Sequence, residues 1–364
     1  MGSVGAGVFA GRAAFGGTTT GPCGSSPPRP SPAPIPATGI HQAGIAAPVV
    51  PQQFSLTVVV DVPGAGDPSF LPALGDQLLT LLDGGVHDAG DLTVTIGIGP
   101  RLVAAVDGAL PAAGPLPAFL GDAELASDRA GGDLLLLASG SDPVVLPKAV
   151  DALLAVLSAP LPEGKERWRQ FGFRGPGADG VVRNAFGFHD GIVVPRGEAE
   201  LRENVWVQED PRVAGGTVAV VRRLRMDTRA FTALPVAEQE SAVGRRRSDG
   251  APLSGGGRMA EVDLTAKTAD GQYVTPLGSH ARAAHPSTTG SALMLRRGYS
   301  YAEGDETGLM FISFQRDLRT FVATQHRLDE QDAMMRFVTP TASASFLVPP
   351  GFDRDRPLGA SLLE

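Results

Sequence analysis

Asp190, His280 and Arg296 are three side chains whose types and setting suit peroxide chemistry. Asp190 lies in Gly187-Phe188-His189-Asp190-Gly191, a carboxylate between two glycines, and Phe186, Ile192, Val193 and Val194 surround the motif with apolar groups. An Asp-Gly pair marks a turn, and alone it says no more than that. In dry surroundings the same carboxylate suits a group that takes a proton from a peroxide and returns it to the leaving oxygen. Burial disfavours its charged form, so activity at acidic pH is expected.

His280 follows Ser279 and precedes Ala281-Arg282-Ala283-Ala284-His285-Pro286. A lone histidine is most often a hydrogen-bonded structural residue. A neutral imidazole also makes a good axial ligand to ferric haem iron, the more so when a carboxylate holds its other nitrogen. Asp317 is the carboxylate predicted for that place. Leu295-Arg296-Arg297-Gly298-Tyr299 supplies a cation that never deprotonates, suited to a peroxide anion and to charge developing on the leaving oxygen. Arg297 and Arg282 are candidates for a haem propionate; for each arginine alone, a solvated or ion-paired role is the simpler reading.

These residues need a frame, and the pattern provides one. Phe54 to Val62 is β-branched and bounded by Pro51 and Pro63, so it reads as a buried strand. Leu71 to Leu82 carries leucines at helical spacing and stops at Gly84-Gly85. Leu92 to Ile98 alternates as a strand, and Asp133 to Ala138 is a strand followed by a helix through Leu157. In the second half, Gly216 to Met226 and Leu309 to Phe314 read as strands, and a helix opens at Gln315-Arg316-Asp317 and runs to about Phe337. The strand-then-helix plan recurs, which predicts two related α+β halves, each a sheet with helices on one face. Residues 1–38 read as a disordered leader or the remnant of an export signal, 39–200 as the first half and 201–364 as the second.

Composition narrows the function. The chain has 364 residues, 43 % hydrophobic and 19 % charged, with a net charge of −8 from 39 acids and 31 bases. That fits a folded globular protein and argues against a nucleic-acid partner, since no long Lys/Arg block occurs. The single cysteine, Cys23, excludes a disulfide framework within one chain, and no Cys-x-x-Cys-His is present to attach a haem covalently. No run of about 18 apolar residues exists, so no transmembrane helix is expected. The Gly/Ala/Thr and Pro/Ser-rich start favours export, although twin arginines are absent.

Taken together, Gly39-Ile40-His41-Gln42-Ala43-Gly44-Ile45, Asn184 to Gly191, His280 to Pro286, Leu293 to Tyr301 and Gly308 to Gln315 resemble the dye-decolourising peroxidases, in the branch that includes exported deferrochelatase/peroxidase proteins. The resemblance implies a fold of two ferredoxin-like halves with antiparallel sheets and peripheral helices, and one haem b per chain, held mainly by the second half. It implies His280 as iron ligand and Asp190 and Arg296 as catalytic residues. Arg282, Arg296, Gly191, Phe188, His189 and Phe314 are the further cofactor contacts it implies. Its reaction is oxidation of an organic donor, a dye or phenolic, by hydrogen peroxide through a ferryl intermediate. An alternative in another class is a haem-handling protein that carries haem or releases its iron. The sequence leaves homo-oligomerisation open. Two positions depart from the family pattern: His285 stands where Asn is common, and Ile192 where Thr is common. His189 is expected to face away from Asp190, because neighbours in an extended segment point opposite ways.

Overall fold

A computed structural model describes residues 32–63, 66–85, 90–158, 165–175, 177 and 179–364. The expected leader lies, up to residue 31, outside the described residues. Pro32–Glu364 makes one compact unit.

The strands are β1 (Phe54–Asp61), β2 (Thr93–Ile98), β3 (Leu134–Gly140), β4 (Lys165–Phe173), β5 (Val182–Arg183), β6 (His189–Asp190), β7 (Thr217–Met226), β8 (Leu295–Arg296), β9 (Tyr299–Glu303), β10 (Glu306–Gln315) and β11 (Val338–Val348). β5 and β6 form a separate two-stranded ribbon. The other nine share one antiparallel sheet in the order β7-β11-β2-β3-β1-β4-β9-β10-β8, and β7 also pairs with β10. That last pairing closes the sheet into a barrel and leaves β8 as a short flap beside β10. Strands of the first half sit side by side, as do those of the second. Each seam between them is a single residue pair, Leu347 with Ile98 and Phe173 with Ser300. The predicted α+β class with antiparallel sheets is observed; ring closure through both halves is an addition that local patterning cannot show.

Alternation along each strand separates two cores. Val58 and Val60 face outward, where Leu71, Leu74 and Leu78 of the helix Leu71–Thr80 and Leu146, Val150 and Leu153 of the helix Val145–Ser158 cover them. Val59 faces inward and joins Leu135, Leu137, Trp168, Val221, Ile312, Phe314 and Phe346 in filling the barrel. Each fully buried leucine or valine here contributes roughly 1.5–3 kcal/mol. The 42–48 segment packs against this barrel. The Gln42 amide donates to the Ile96 and Pro349 carbonyls (both 3.0 Å), and the Thr95 hydroxyl donates to the Ala43 carbonyl at 2.7 Å. The helix Leu318–Gln331 packs Phe321 with Val220 and Met294, and starts at Asp317, whose carboxylate accepts from the Arg319 N–H at 2.8 Å.

Candidate active site

Asp190 is placed by a tight hairpin. β5 and β6 pair Val182 with Asp190 and Arg183 with His189. Between them the Asn184 side chain accepts the Phe186 and Phe188 N–H groups at 3.1 and 3.2 Å, and Gly187 turns with φ +82°, a region that favours glycine. Arg183 ties the turn to the following loop through the carbonyls of Gly187, Arg247 and Ser248. Phe186 and Phe188 anchor it from below, packing on Phe231 with centroids 4.2 and 6.0 Å away. Gly191, at φ +83°, donates its N–H to Asp190 Oδ1 at 2.7 Å.

Arg296 comes from β8, opposite Ser313 of β10. Its one polar contact among the described residues is Nη2 to Asp190 Oδ1 at 3.9 Å, too long for a hydrogen bond. Its side chain is 29 % exposed and that of Asp190 32 %. The guanidinium donors of Arg296 and Oδ2 of Asp190 are therefore available to a third party.

His280 opens the four-residue helix His280–Ala283 after Ser279. Its Nδ1 lies 2.6 Å from Asp332 Oδ2. An ionised carboxylate only accepts, so Nδ1 carries the proton and Nε2 presents a lone pair. Asp332 is fixed in turn: its Oδ1 accepts the Met334 N–H at 2.8 Å, and the Ala333 N–H reaches the Gly278 carbonyl at 2.8 Å, beside the histidine. Burial pushes the imidazole down, but the charge and hydrogen bond of Asp332 outweigh it and leave His280 above its ordinary pKa. The His280 side chain is nonetheless 44 % exposed, while Ser279 and Ala283 beside it are fully buried. Dense protein around a ring with that much open surface means that it faces a cleft. The charges of Arg296 and Asp190 both act on it, with opposite sign.

The donor set fits a haem. A bare metal ion needs several protein ligands, and no group of three or more His, Cys, Asp or Glu able to hold one occurs among the described residues. One anchored imidazole is what an iron already held in a porphyrin asks of a protein.

The sequence-based expectations for Asp317, Arg282, Arg297, Phe188 and Phe314 change. Asp317 is not the partner of His280: it caps its helix and pairs with Arg319, while Asp332 after that helix takes the role. Arg282 is not free for a propionate, because it is 8 % exposed, donates to the Thr275 and Leu264 carbonyls and stacks over Tyr273 at 4.7 Å. Arg297 reaches neither a propionate nor the surface; it is 4 % exposed and turned into the barrel. Phe188 and Phe314, at 2 % and 0 % exposure, have no surface left for a cofactor and act as packing. His189 turns toward Gly250, where an added Cβ would lie 2.9 Å from its Nδ1, and that nitrogen is buried without a partner. Burial first, then Arg183 and Arg258, lowers its pKa, so it is a neutral ring beside the acid. Of the two departures, His285 caps the short helix Pro286–Thr289 by accepting the Ser287 N–H at 3.2 Å, a task an Asn side chain also performs.

Asp332 was the residue missed. A signal existed: an aspartate at a helix C-terminus opposes the helix dipole and needs a reason to be there.

Residues 182–353 match the family model described as Dyp-type peroxidase, C-terminal. A dye-decolorizing peroxidase of Thermobifida fusca is 35% identical over 253 residues, covering 64% of this chain and 58% of that protein. A deferrochelatase of Yersinia pestis is 35% identical over 222 residues, 54% of this chain and 50% of that protein. The chain thus spans only about half to three-fifths of these curated relatives. A solved DyP-type peroxidase from Streptomyces coelicolor superposes with a TM-score of 0.83 at 33% identity, covering 92% of this chain and 98% of that one. With that fold and that cleft, the chain belongs to the Dyp-type peroxidase family.

Proposed function

We propose that this protein is a haem b peroxidase that uses hydrogen peroxide to oxidise an organic donor, a dye or phenolic compound. The reading is supported by an anchored imidazole and by a carboxylate and guanidinium with unspent polar atoms whose charges act on it, which we place on two sides of one cleft. A haem bound there would supply the redox-active iron at which peroxide is reduced while the donor is oxidised. His280 would hold it through Nε2, with Asp332 fixing the tautomer and the ring plane. Asp190 handles the proton: Oδ1 is held by the Gly191 N–H, and Oδ2 takes a proton from one peroxide oxygen and returns it to the other. Arg296 holds the peroxide anion and the charge that develops on the departing oxygen. The phenylalanine cluster below the hairpin keeps bulk water from the back of Asp190.

A second reading, release of iron from haem, is favoured by the relatives named deferrochelatase. It needs the His280 side of the cleft but not the Asp190–Arg296 side. Mixing the haem-loaded protein with one equivalent of peroxide in a stopped-flow spectrometer separates the two. A fast spectral change followed by return on adding a phenolic donor supports the peroxidase. Slow bleaching with free iron and intact porphyrin as product overturns it. Among the described residues no helix is long and apolar enough to cross a membrane. An extracytoplasmic location is part of the proposal and rests on the character of residues 1–38.

A further inference from the structure

Two arginines turn into the barrel, and only one of them is compensated. Arg223 on β7 is 5 % exposed and donates to Gln170 (2.6 Å), Thr341 (2.7 Å) and the carboxylates of Glu303 (3.3 Å) and Glu306 (2.6 Å). A buried cation is tolerable on those terms. Arg297 is 4 % exposed and makes one side-chain hydrogen bond, Nη2 to the Pro48 carbonyl at 2.7 Å. Its Nε and Nη1 are buried with no partner among the described residues. Among the groups whose charge acts on it is another cation, Arg174. Arg174 lies with its guanidinium 5.6 Å from the Tyr299 ring centroid and donates to the Gly180 carbonyl at 2.7 Å. Burial, and then repulsion by Arg174 against the pull of Tyr299, lowers Arg297 to about 10, which leaves it charged at neutral pH. A neutral donor stands at the same place. Across Gly172, where an added Cβ would lie 2.7 Å from Tyr299 Cβ and 3.0 Å from Ser55 Oγ, the buried Ser55 hydroxyl has no partner either.

We propose that Arg297 and Arg174, with the Ser55 hydroxyl, form a binding site for a small monovalent anion, halide in size. Asp190 acts on Arg174, so the counter-charge that is missing is that of Arg297; it is supplied from solvent, and the anion enters past Arg174, which is partly exposed. It offsets the second of two adjacent positive charges, so that Arg296 works on the other face of its strand without a bare cation behind it.

Bromide is the probe. In a bromide-soaked crystal of the full chain, an anomalous peak is expected within hydrogen-bond reach of Arg297 Nε or Nη1. Density there with no anomalous signal would mean water and would overturn the proposal. In solution, the melting temperature of the wild type should rise saturably with sodium bromide beyond its rise in sodium gluconate at equal ionic strength. Arg297→Met removes the uncompensated charge, so it should melt at or above wild type without halide and should not respond to bromide. Should that variant not fold, Arg174→Gln should raise the half-saturating bromide concentration on the order of tenfold, the loss of one charged hydrogen-bond donor. Equal responses to bromide and gluconate in the wild type would contradict the proposal.

Discussion

The two walls of the proposed cleft are built on opposite principles. On one wall, His280 sits 2.6 Å from an Asp332 that is itself hydrogen-bonded and 1 % exposed. On the other, Asp190 and Arg296 stand 3.9 Å apart, each about a third exposed, with polar atoms unspent. The first wall fixes a ligand atom in direction and tautomer. The second leaves its donors and acceptors unspent, as the proposed turnover requires. Binding and turnover should therefore separate when each wall is damaged.

The largest effect is expected from His280→Ala, which should purify with little or no Soret absorbance and take up little added haem. Retention of haem in this variant would break the contrast at once. Next, Asp190→Ala should keep haem but react with peroxide roughly 10²–10⁴-fold more slowly, the usual contribution of a positioned proton-transfer group. Arg296→Leu should also keep haem and lose about 10²–10³-fold in the same step, as expected when a charge-stabilising donor is removed. Asp332→Asn sharpens the comparison from the binding side: about 10–100-fold weaker haem affinity, read by titration, with a smaller change in peroxide rate. The smallest effect belongs to His189→Gln, within about twofold of wild type, because the ring faces Gly250 rather than Asp190.

Much of this was legible in the residues. The β-branched, proline-bounded run Phe54 to Val62 and the leucine spacing of 71 to 82 marked strand and helix nearly to their ends, because local burial alone decides them. Gly187 and Gly191 marked the hairpin that aims Asp190, since both adopt positive φ. What remained hidden depends on contacts between distant segments. Asp317 and Asp332 flank the same helix, and only its packing against the short His280 helix decides which carboxylate meets the imidazole. Arg282 and Arg297 looked like surface or propionate residues because an arginine's charge predicts exposure. Burial of Arg282 among backbone carbonyls, and closure of the barrel around Arg297, are tertiary facts. Phe314 illustrates the same point: it lies in a family-like stretch yet belongs to the barrel core, with Leu295 across from it.

The most direct test of the two-wall account is a pair of measurements on Arg296→Leu: haem affinity by titration and the stopped-flow rate with one equivalent of peroxide. The account predicts wild-type affinity together with a rate lowered by at least about 10². A wild-type peroxide rate, or a loss of rate matched by a loss of haem, would contradict it.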